Sequence, residues 1–394
     1  MSEPEGHHFT VHRDPEIDSQ IREDVEFLRG EILAAFPDAR ALFLVGGFGR
    51  GEGGVVHRGG RWRPANDYDF ELITRRAVDH ATLHALGERL AGELGIPFVH
   101  VESSSVSRQR FRGASEYTVD LRLGSLALHD PHDMRRRLRR CRPDRIPLRD
   151  ALMTLFTRSS ALLWHFEWGR DWARAPREDR DALAGQISKA LLAIMDAWLI
   201  RTHQYHPSYA ERLRRMEALS PGEELIEAVR WATEVKLRPD SAPIPEDLNA
   251  LWFKARDLHQ AEVFRHAGVM ALRALRSVKW IRANLQRLRA EAQAMAEGSS
   301  RDWSALSESL RYENQSLVDQ LRLLRRSRAT SWERHVHLAI VNMQALALLE
   351  PDGTCDPDLL RHLHRCCSCL GEATEGDDWE SLRQTLNHLF PRLW

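Results

Sequence analysis

The stretch Ala41-Leu-Phe-Leu-Val45 runs straight into Gly46-Gly-Phe-Gly-Arg-Gly-Glu-Gly53, and Asp67-Tyr-Asp-Phe-Glu-Leu-Ile73 follows a short distance on. The first piece reads as a short, fully apolar strand. The glycines and Pro64 make residues 46–66 a loop, or a loop with a loose hairpin, because glycine reaches positive φ and lets other groups approach the backbone closely. Residues 67–73 alternate, so a strand there puts Asp67, Asp69 and Glu71 on one face and Tyr68, Phe70 and Leu72 on the other. Carboxylates at i and i+2 of one strand point the same way, with Cα atoms roughly 6.5–7 Å apart. Burying such acids among apolar neighbours is costly unless a cation compensates.

Outward from this core, the apolar positions Ile17, Ile21, Val25, Leu28, Ile32 and Ala35 recur at helical spacing, and Pro37-Asp38 ends that helix. Residues 79–93 read as a helix, and 96–101 and 116–123 as further strands. The second of these carries Asp120 between Val119 and Leu121. Helix, strand, strand, helix, strand, strand gives an α/β domain with a mixed sheet at 1–130. An arginine-rich linker at 131–150 follows. Strand signals then nearly vanish, and amphipathic helices are expected over 150–166, 181–203, 208–218, 222–236, 247–297, 302–350, 356–371 and 377–390. The fold class expected is therefore α+β: a helical domain at 151–298 and a helical extension at 299–394 complete the chain, with a break near 297–300 and a turn at Pro351-Asp-Gly353.

The 394 residues carry a formal net charge of −1, so no global field draws the protein to nucleic acid or to an anionic membrane. The absence of a long apolar run argues against a membrane span. The polar N-terminus does not read as a secretion signal. Four of the five cysteines fall within residues 355–369, which is no secreted disulfide framework, and a reducing cytoplasm is the expected compartment.

Gly46-Gly47 after the first strand, Asp67-x-Asp69 on the next and Asp120 on a later one resemble the nucleotidyltransferase superfamily that includes DNA polymerase β. The resemblance implies that Asp67 and Asp69 bind two Mg²⁺ ions (Mn²⁺ being an alternative), and that Asp120 is the third ligand and general base. It implies also that Gly47 lies against the β- and γ-phosphates of a nucleoside triphosphate. The stretch between the glycine pair and Asp67, which includes GVVHRGGRWRPA (54–65), is longer than in the compact family pattern. A Rossmann turn, the competing reading of the glycines, requires a helix directly after them, and 53–66 has no helical pattern. Arg50, in the same loop, is a candidate phosphate contact or a plain surface arginine.

The segment from Lys189 to Met216 resembles the helical domain that follows the catalytic domain in some of these transferases, where a helix lysine reaches the triphosphate. Lys189 is one of only four lysines in a chain whose basic residues are almost all arginine. Asp196 shares its helix face, and Ser208 is placed to cap the next helix. The eight arginines within 131–149 could guide RNA or cover a solvated helix, but no aromatic residues interleave them, so they do not form a stacking platform for single strands. A smaller arginine patch at 322–328 reads as solvated. His362, His364, Cys366, Cys367 and Cys369 fall on one helix without a second half-site, which favours packing over zinc. The seven tryptophans from Trp164 to Trp280 sit at core spacings.

The expectation is transfer of a nucleoside monophosphate from an NTP to a small-molecule or protein acceptor, with pyrophosphate release. A non-catalytic nucleotide-binding regulator or toxin–antitoxin component, and a transferase acting on RNA ends, are the alternatives.

Overall fold

Asp14 starts the first helix, α1 (Pro15–Ala35): its carboxylate accepts from the backbone N–H of Glu16 at 2.8 Å and of Ile17 at 3.3 Å, and Pro15 fills a first-turn position that needs no N–H donor. The stripe Ile17, Ile21, Val25, Leu28 and Ile32 is buried along its length. The computed structural model describes residues 6–111, 114–137, 142–275, 331–370 and 376–393.

The chain divides into two units, Met1–Asp150 with Trp198–Pro243, and Ala151–Ala197 with Ile244–Trp394. The division therefore does not follow chain order: residues 198–243, expected within a helical domain at 151–298, belong with the N-terminal unit.

In the first unit the elements are α1, β1 (Ala41–Leu44), α2 (Gly46–Arg50), β2 (Val55–Arg58), β3 (Arg61–Pro64), β4 (Asp67–Thr74), α3 (His80–Leu94), β5 (Phe98–Ser105), α4 (Val106–Phe111), α5 (Glu116–Leu123), β6 (Leu126–His129) and α6 (Met134–Arg137), then α9 (Tyr209–Leu219) and α10 (Glu223–Leu237). Four strands form a mixed sheet in the order β5-β4-β1-β6. β1 is antiparallel to both neighbours, whereas β4 and β5 run parallel with Asp67 beside Phe98 and Asp69 beside His100.

One sheet face, with Leu42, Leu44, Tyr68, Phe70, Leu72, Val99 and Val101, is buried in a single core with α1 and with Leu83, Leu90 and Ala91 of α3. On the other face Ala41, Phe43 and Ile73 pack with Leu121 of α5 and Met134 of α6. The strand period thus sends Asp67, Asp69 and Glu71 to this second face, as the alternation predicts.

Two local expectations are corrected. Residues 116–123, with Asp120 among them, are helix α5 and not a strand. Ser115 accepts from the Thr118 N–H at 3.1 Å while Thr118 Oγ1 accepts from the Ser115 N–H at 2.9 Å, and this capping box fixes the first turn. The alternating Tyr117, Val119, Leu121 and Leu123 mimic a strand, but as a helix only Val119 and Leu121 are buried, and Tyr117 and Leu123 are left 36 % and 49 % exposed. The loop at 46–66 begins with a helical turn, α2, where none was expected; the hairpin that the reading allowed is present as β2–β3, in which Gly59 and Gly60 both have the positive φ (+59° and +77°) that a two-residue hairpin turn demands.

The described part of the second unit is helical, built from most of α7 (Leu148–Leu163), most of α8 (Arg177–Arg201), α11 (Leu248–Leu275), α12 (Ser331–Leu348), α13 (Pro357–Leu370) and α14 (Trp379–Leu393). Its core centres on the Phe166 and Trp252 rings, stacked 3.9 Å apart, and on Trp379, whose indole N–H donates to the Ala345 carbonyl at 2.9 Å. α8 is long and apolar enough to cross a membrane, and most of that apolar stretch is buried within the protein. The chain is thus a mixed α/β protein with a small sheet and a predominantly helical remainder. The expected helices beyond 275 and before 331, the break at 297–300 and the arginines at 322–328 lie outside the described residues.

Candidate active site

The β1–α2 turn and strand β4 meet at Asp69. The Val45 N–H donates to the Asp69 carbonyl at 2.9 Å, which pins the end of β1 to β4. Gly46 follows with φ +65°, and a Cβ built there would stand 2.3 Å from Asp69 Oδ2. Only glycine fits: the backbone conformation and the carboxylate both exclude a side chain. The later glycines serve packing. A Cβ on Gly49 would strike the Leu44 carbonyl oxygen at 2.3 Å, and one on Gly53 the Phe48 ring at 2.2 Å.

Among the described residues, no hydrogen bond or ion pair reaches the side chains of Asp67 or Asp69. Burial, and then the charge of Asp67, push the Asp69 carboxyl up to about 6; His100, Lys236 and Arg50 pull it back. Lys236, near the end of α10, is therefore the lysine that acts on this pair within the first unit. On the neighbouring strand β5, the residue beside Asp69 is His100, whose Nε2 lies 3.0 Å from Glu102 Oε1. That contact, against partial burial, raises the His100 pKa, with Asp69 and Asp67 adding to the effect. The third acid of β4, Glu71, is buried and accepts from Ser104 Oγ and, at 3.2 Å, from Gln109 Nε2.

Asp120 has different company. Arg50 Nη1 donates to its Oδ2 at 3.1 Å, the Tyr205 hydroxyl to its Oδ1 at 2.9 Å, and Arg212 Nη2 to the two oxygens at 3.5 and 3.4 Å. Arg212, 2 % exposed, also donates to the Tyr205 hydroxyl and to the carbonyls of His206 and Pro207, and its guanidinium lies over the Tyr205 and Tyr209 rings at 4.3 and 4.6 Å. Glu52 joins the same cluster. It accepts from Ser208 Oγ at 2.7 Å and from the N–H groups of Tyr209 and Ala210 at 2.8 and 3.2 Å, and so caps α9 from outside, with Arg50 Nε at 3.8 Å. Ser208 caps α9 itself through the Glu211 N–H, as expected from the sequence.

The structure accordingly brings Gly46, Gly47, Asp67 and Asp69 together, and places Arg50 and Asp120 in the adjoining network. Lys189 and Asp196 lie on the part of α8 that belongs to the second unit. Sequence reading missed Glu52, His100, Lys236 and Arg212. The rarity of lysine was a usable signal for Lys236, and the position one strand over from the Asp-x-Asp pair was a usable signal for His100. Glu52 and Arg212 gave none, being acid and base in a chain full of both. In α13, His362 Nε2 sits 3.5 Å from Cys366 Sγ, and burial pushes the Cys367 thiol up to about 12, the behaviour of packed, protonated cysteines. The arginine run is described at 135–137, 142, 145 and 149 only.

The first unit therefore defines a class: a mixed α/β domain with two strand carboxylates that have no partner among the described residues, one of them beside a glycine turn. No family model matches the chain, and no curated protein matches it.

Proposed function

We propose that the first unit is a divalent-metal-dependent nucleotidyltransferase, which moves a nucleoside monophosphate from an NTP to a hydroxyl-bearing small-molecule or protein acceptor and releases pyrophosphate. One observation carries the reading: a side chain on Gly46 would strike the Asp69 carboxylate, so the glycine turn lies directly beside the acid pair. Two carboxylates without protein partners suit a hard cation, and Mg²⁺ commonly takes one or two carboxylates and completes its shell with water and substrate phosphates. Among the described residues Asp67, Asp69 and Asp120 do not gather as the expected three-ligand set, so the proposal rests on the β4 pair alone.

Asp67 and Asp69 would hold Mg²⁺ or Mn²⁺, which supplies charge neutralisation along the triphosphate. The Gly46–Gly47 turn offers backbone N–H groups at close range, because neither residue carries a Cβ. Lys236 adds positive charge on the same side. Arg50 and Asp120 neutralise each other and, with Glu52, hold α2 and its turn against α9. Positioning and electrostatics of this kind are the main protein contribution to phosphoryl chemistry.

A second reading, a nucleotide-binding regulator without turnover, draws on His100: the strand beside the acid pair carries an imidazole next to Asp69 where a third carboxylate would complete the clamp. Incubation with labelled ATP, GTP, CTP and UTP, with and without cell extract and beside Asp67→Ala, separates the readings. Label transferred only by the native protein supports the transferase. Mg²⁺-dependent NTP binding without transfer supports the regulator, and equal labelling by the variant removes Asp67 from the site.

A further inference from the structure

A glycine-rich turn has little with which to hold its own shape, because glycine ranges widely over φ and ψ and brings no side chain to anchor. Backbone bonds inside 46–53, such as the Glu52 N–H to the Gly47 carbonyl at 2.8 Å, close the turn but do not tie it to the rest of the fold. Two neighbours do that, and they take alternate residues. Glu52 turns its carboxylate to α9. Gly51 and Gly53, on either side of it, face the segment that precedes α1, residues 7–10.

The contacts to that segment are made mostly by backbone. The Gly53 N–H donates to the Phe9 carbonyl at 2.9 Å, and a Cβ on Gly51, whose φ is +77°, would lie 2.7 Å from the His8 carbonyl oxygen. His7 Nε2 donates to the Phe48 carbonyl at 3.2 Å, and Phe9 is buried in the same core as Phe48. Residues 7–10 belong to no helix or strand, yet Phe9 and Thr10 are each 1 % exposed. Two side chains of α1 fasten them. Asp18, buried in the first turn, accepts the Phe9 N–H on Oδ1 at 2.9 Å and His8 Nδ1 on Oδ2 at 2.6 Å. Arg22, one turn on, donates to the His7 carbonyl at 3.3 Å and lies over the Phe9 ring at 5.2 Å. Among the described residues, every hydrogen bond of the Asp18 carboxylate goes to this segment.

We propose that residues 7–10 are a strap that sets the glycine turn for the triphosphate, and that Asp18 is the positioning residue that holds the strap. The inference rests on the nucleotidyltransferase reading above. With the strap docked, the turn already has its binding shape. With the strap loose, the turn samples other shapes, and affinity falls by the fraction that stays competent. Every molecule still binds once NTP is in excess, so the stoichiometry is kept. Partial unfolding does the opposite: it removes binding sites and leaves the affinity of those that remain.

The test compares the full chain as native, Asp18→Ala, Asp18→Asn and Ile32→Ala, at a temperature where circular dichroism shows each folded. Ile32 is buried about 21 Å along α1 from Asp18, so its truncation is the control for lost stability alone. Equilibrium dialysis with Mg²⁺ and ATP, GTP, CTP or UTP gives Kd and stoichiometry. Hydrogen exchange read by mass spectrometry, without nucleotide, reports the amides of 46–53. Asp18→Ala is expected to weaken NTP binding about tenfold at native stoichiometry and to speed exchange at 46–53, with Ile32→Ala within about twofold of native in Kd. Asp18→Asn keeps an oxygen for the Phe9 N–H and is expected to recover most of both losses. An Asp18→Ala protein with native Kd, or with exchange at 46–53 no faster than in Ile32→Ala, overturns the strap while the transferase reading stands. A native protein that binds none of the four nucleotides overturns the two together.

Discussion

Two acidic clusters lie within one unit, and they are built on opposite principles. Around Asp120 and Glu52 the oxygens are engaged by guanidinium, phenol, hydroxyl and backbone donors. Around Asp67 and Asp69 there are, among the described residues, no such donors, and burial, then the like charge of Asp67, raises the pKa of Asp69 to about 6. A satisfied carboxylate adds to the stability of the fold that surrounds it, whereas an unsatisfied one beside another is a standing cost until something positive arrives. The contrast teaches that the acids proposed for the site stand out less by their identity than by what they lack.

The largest effect separates the clusters outright. Asp69→Asn is expected to lower transfer at least about a thousandfold, ~4 kcal/mol of barrier, yet leave the melting temperature unchanged or higher, because it removes charge repulsion and no partner. Arg212→Met should do the reverse. Stripping a buried guanidinium from Asp120 and Tyr205 is expected to cost about 3 kcal/mol, roughly 10 °C in a unit of this size, with transfer per folded molecule within a few-fold of native at a permissive temperature. Calorimetry beside the labelled-NTP assay reads both variants. If Asp120→Asn abolishes transfer with an unshifted melting temperature, Asp120 belongs with the first cluster and the contrast is void.

Gly46→Ala sharpens the comparison at its contact point. Its methyl would press on Asp69 Oδ2, and its φ of +65° disfavours any side chain. The expected cost is about 1–2 kcal/mol in stability, with Mg²⁺-dependent NTP binding falling by more than that strain explains. A variant that binds NTP as tightly as native would show that the turn and the acids are not one site. Glu52→Gln probes the other cluster gently. It keeps an acceptor for Ser208 but removes the negative charge at the α9 N-terminus, for about 1 kcal/mol, read as a small drop in melting temperature with NTP binding intact.

Much of this was legible in the sequence because its signals are local. The period of two through Asp67–Ile73 reports which face each side chain takes, and Asp14, Pro15 and the apolar stripe report α1. Asp120 was misread for an equally local reason. Alternating Val119 and Leu121 look like a strand, while the Ser115–Thr118 capping box that makes the segment a helix is a short-range hydrogen-bond feature that hydrophobic period does not register. Where Asp120 points, and that Arg212 and Tyr205 from about 90 residues away meet it, depends on how distant helices close on the sheet, which no spacing encodes. His100 became visible only with the β4–β5 register.

Lack of a partner is not by itself a mark of function, and His259 in the second unit makes the distinction testable. Its imidazole is wholly buried, and neither ring nitrogen makes a full hydrogen bond, the Leu155 carbonyl compensating only in part. Burial accordingly lowers its pKa from the usual 6.5 to about 4. The β4 carboxylates, on the proposed reading, take an ion from solvent; an enclosed imidazole cannot, so its only available response is to stay neutral. Because the unfolded chain takes up the proton near pH 6.5 and the folded one only near 4, the group leaves stability untouched above 6.5. Below that it costs up to about 1.4 kcal/mol per pH unit until the lower value is reached. Near-ultraviolet circular dichroism, which reports the aromatic core around Trp252 and Trp379, should show the second unit loosening as pH falls through this window. His259→Leu, of similar volume, should flatten the dependence and leave NTP binding as it was. An unchanged acid profile in that variant would place the sensitivity elsewhere, and a changed NTP affinity would mean that His259 does not act on the second unit alone.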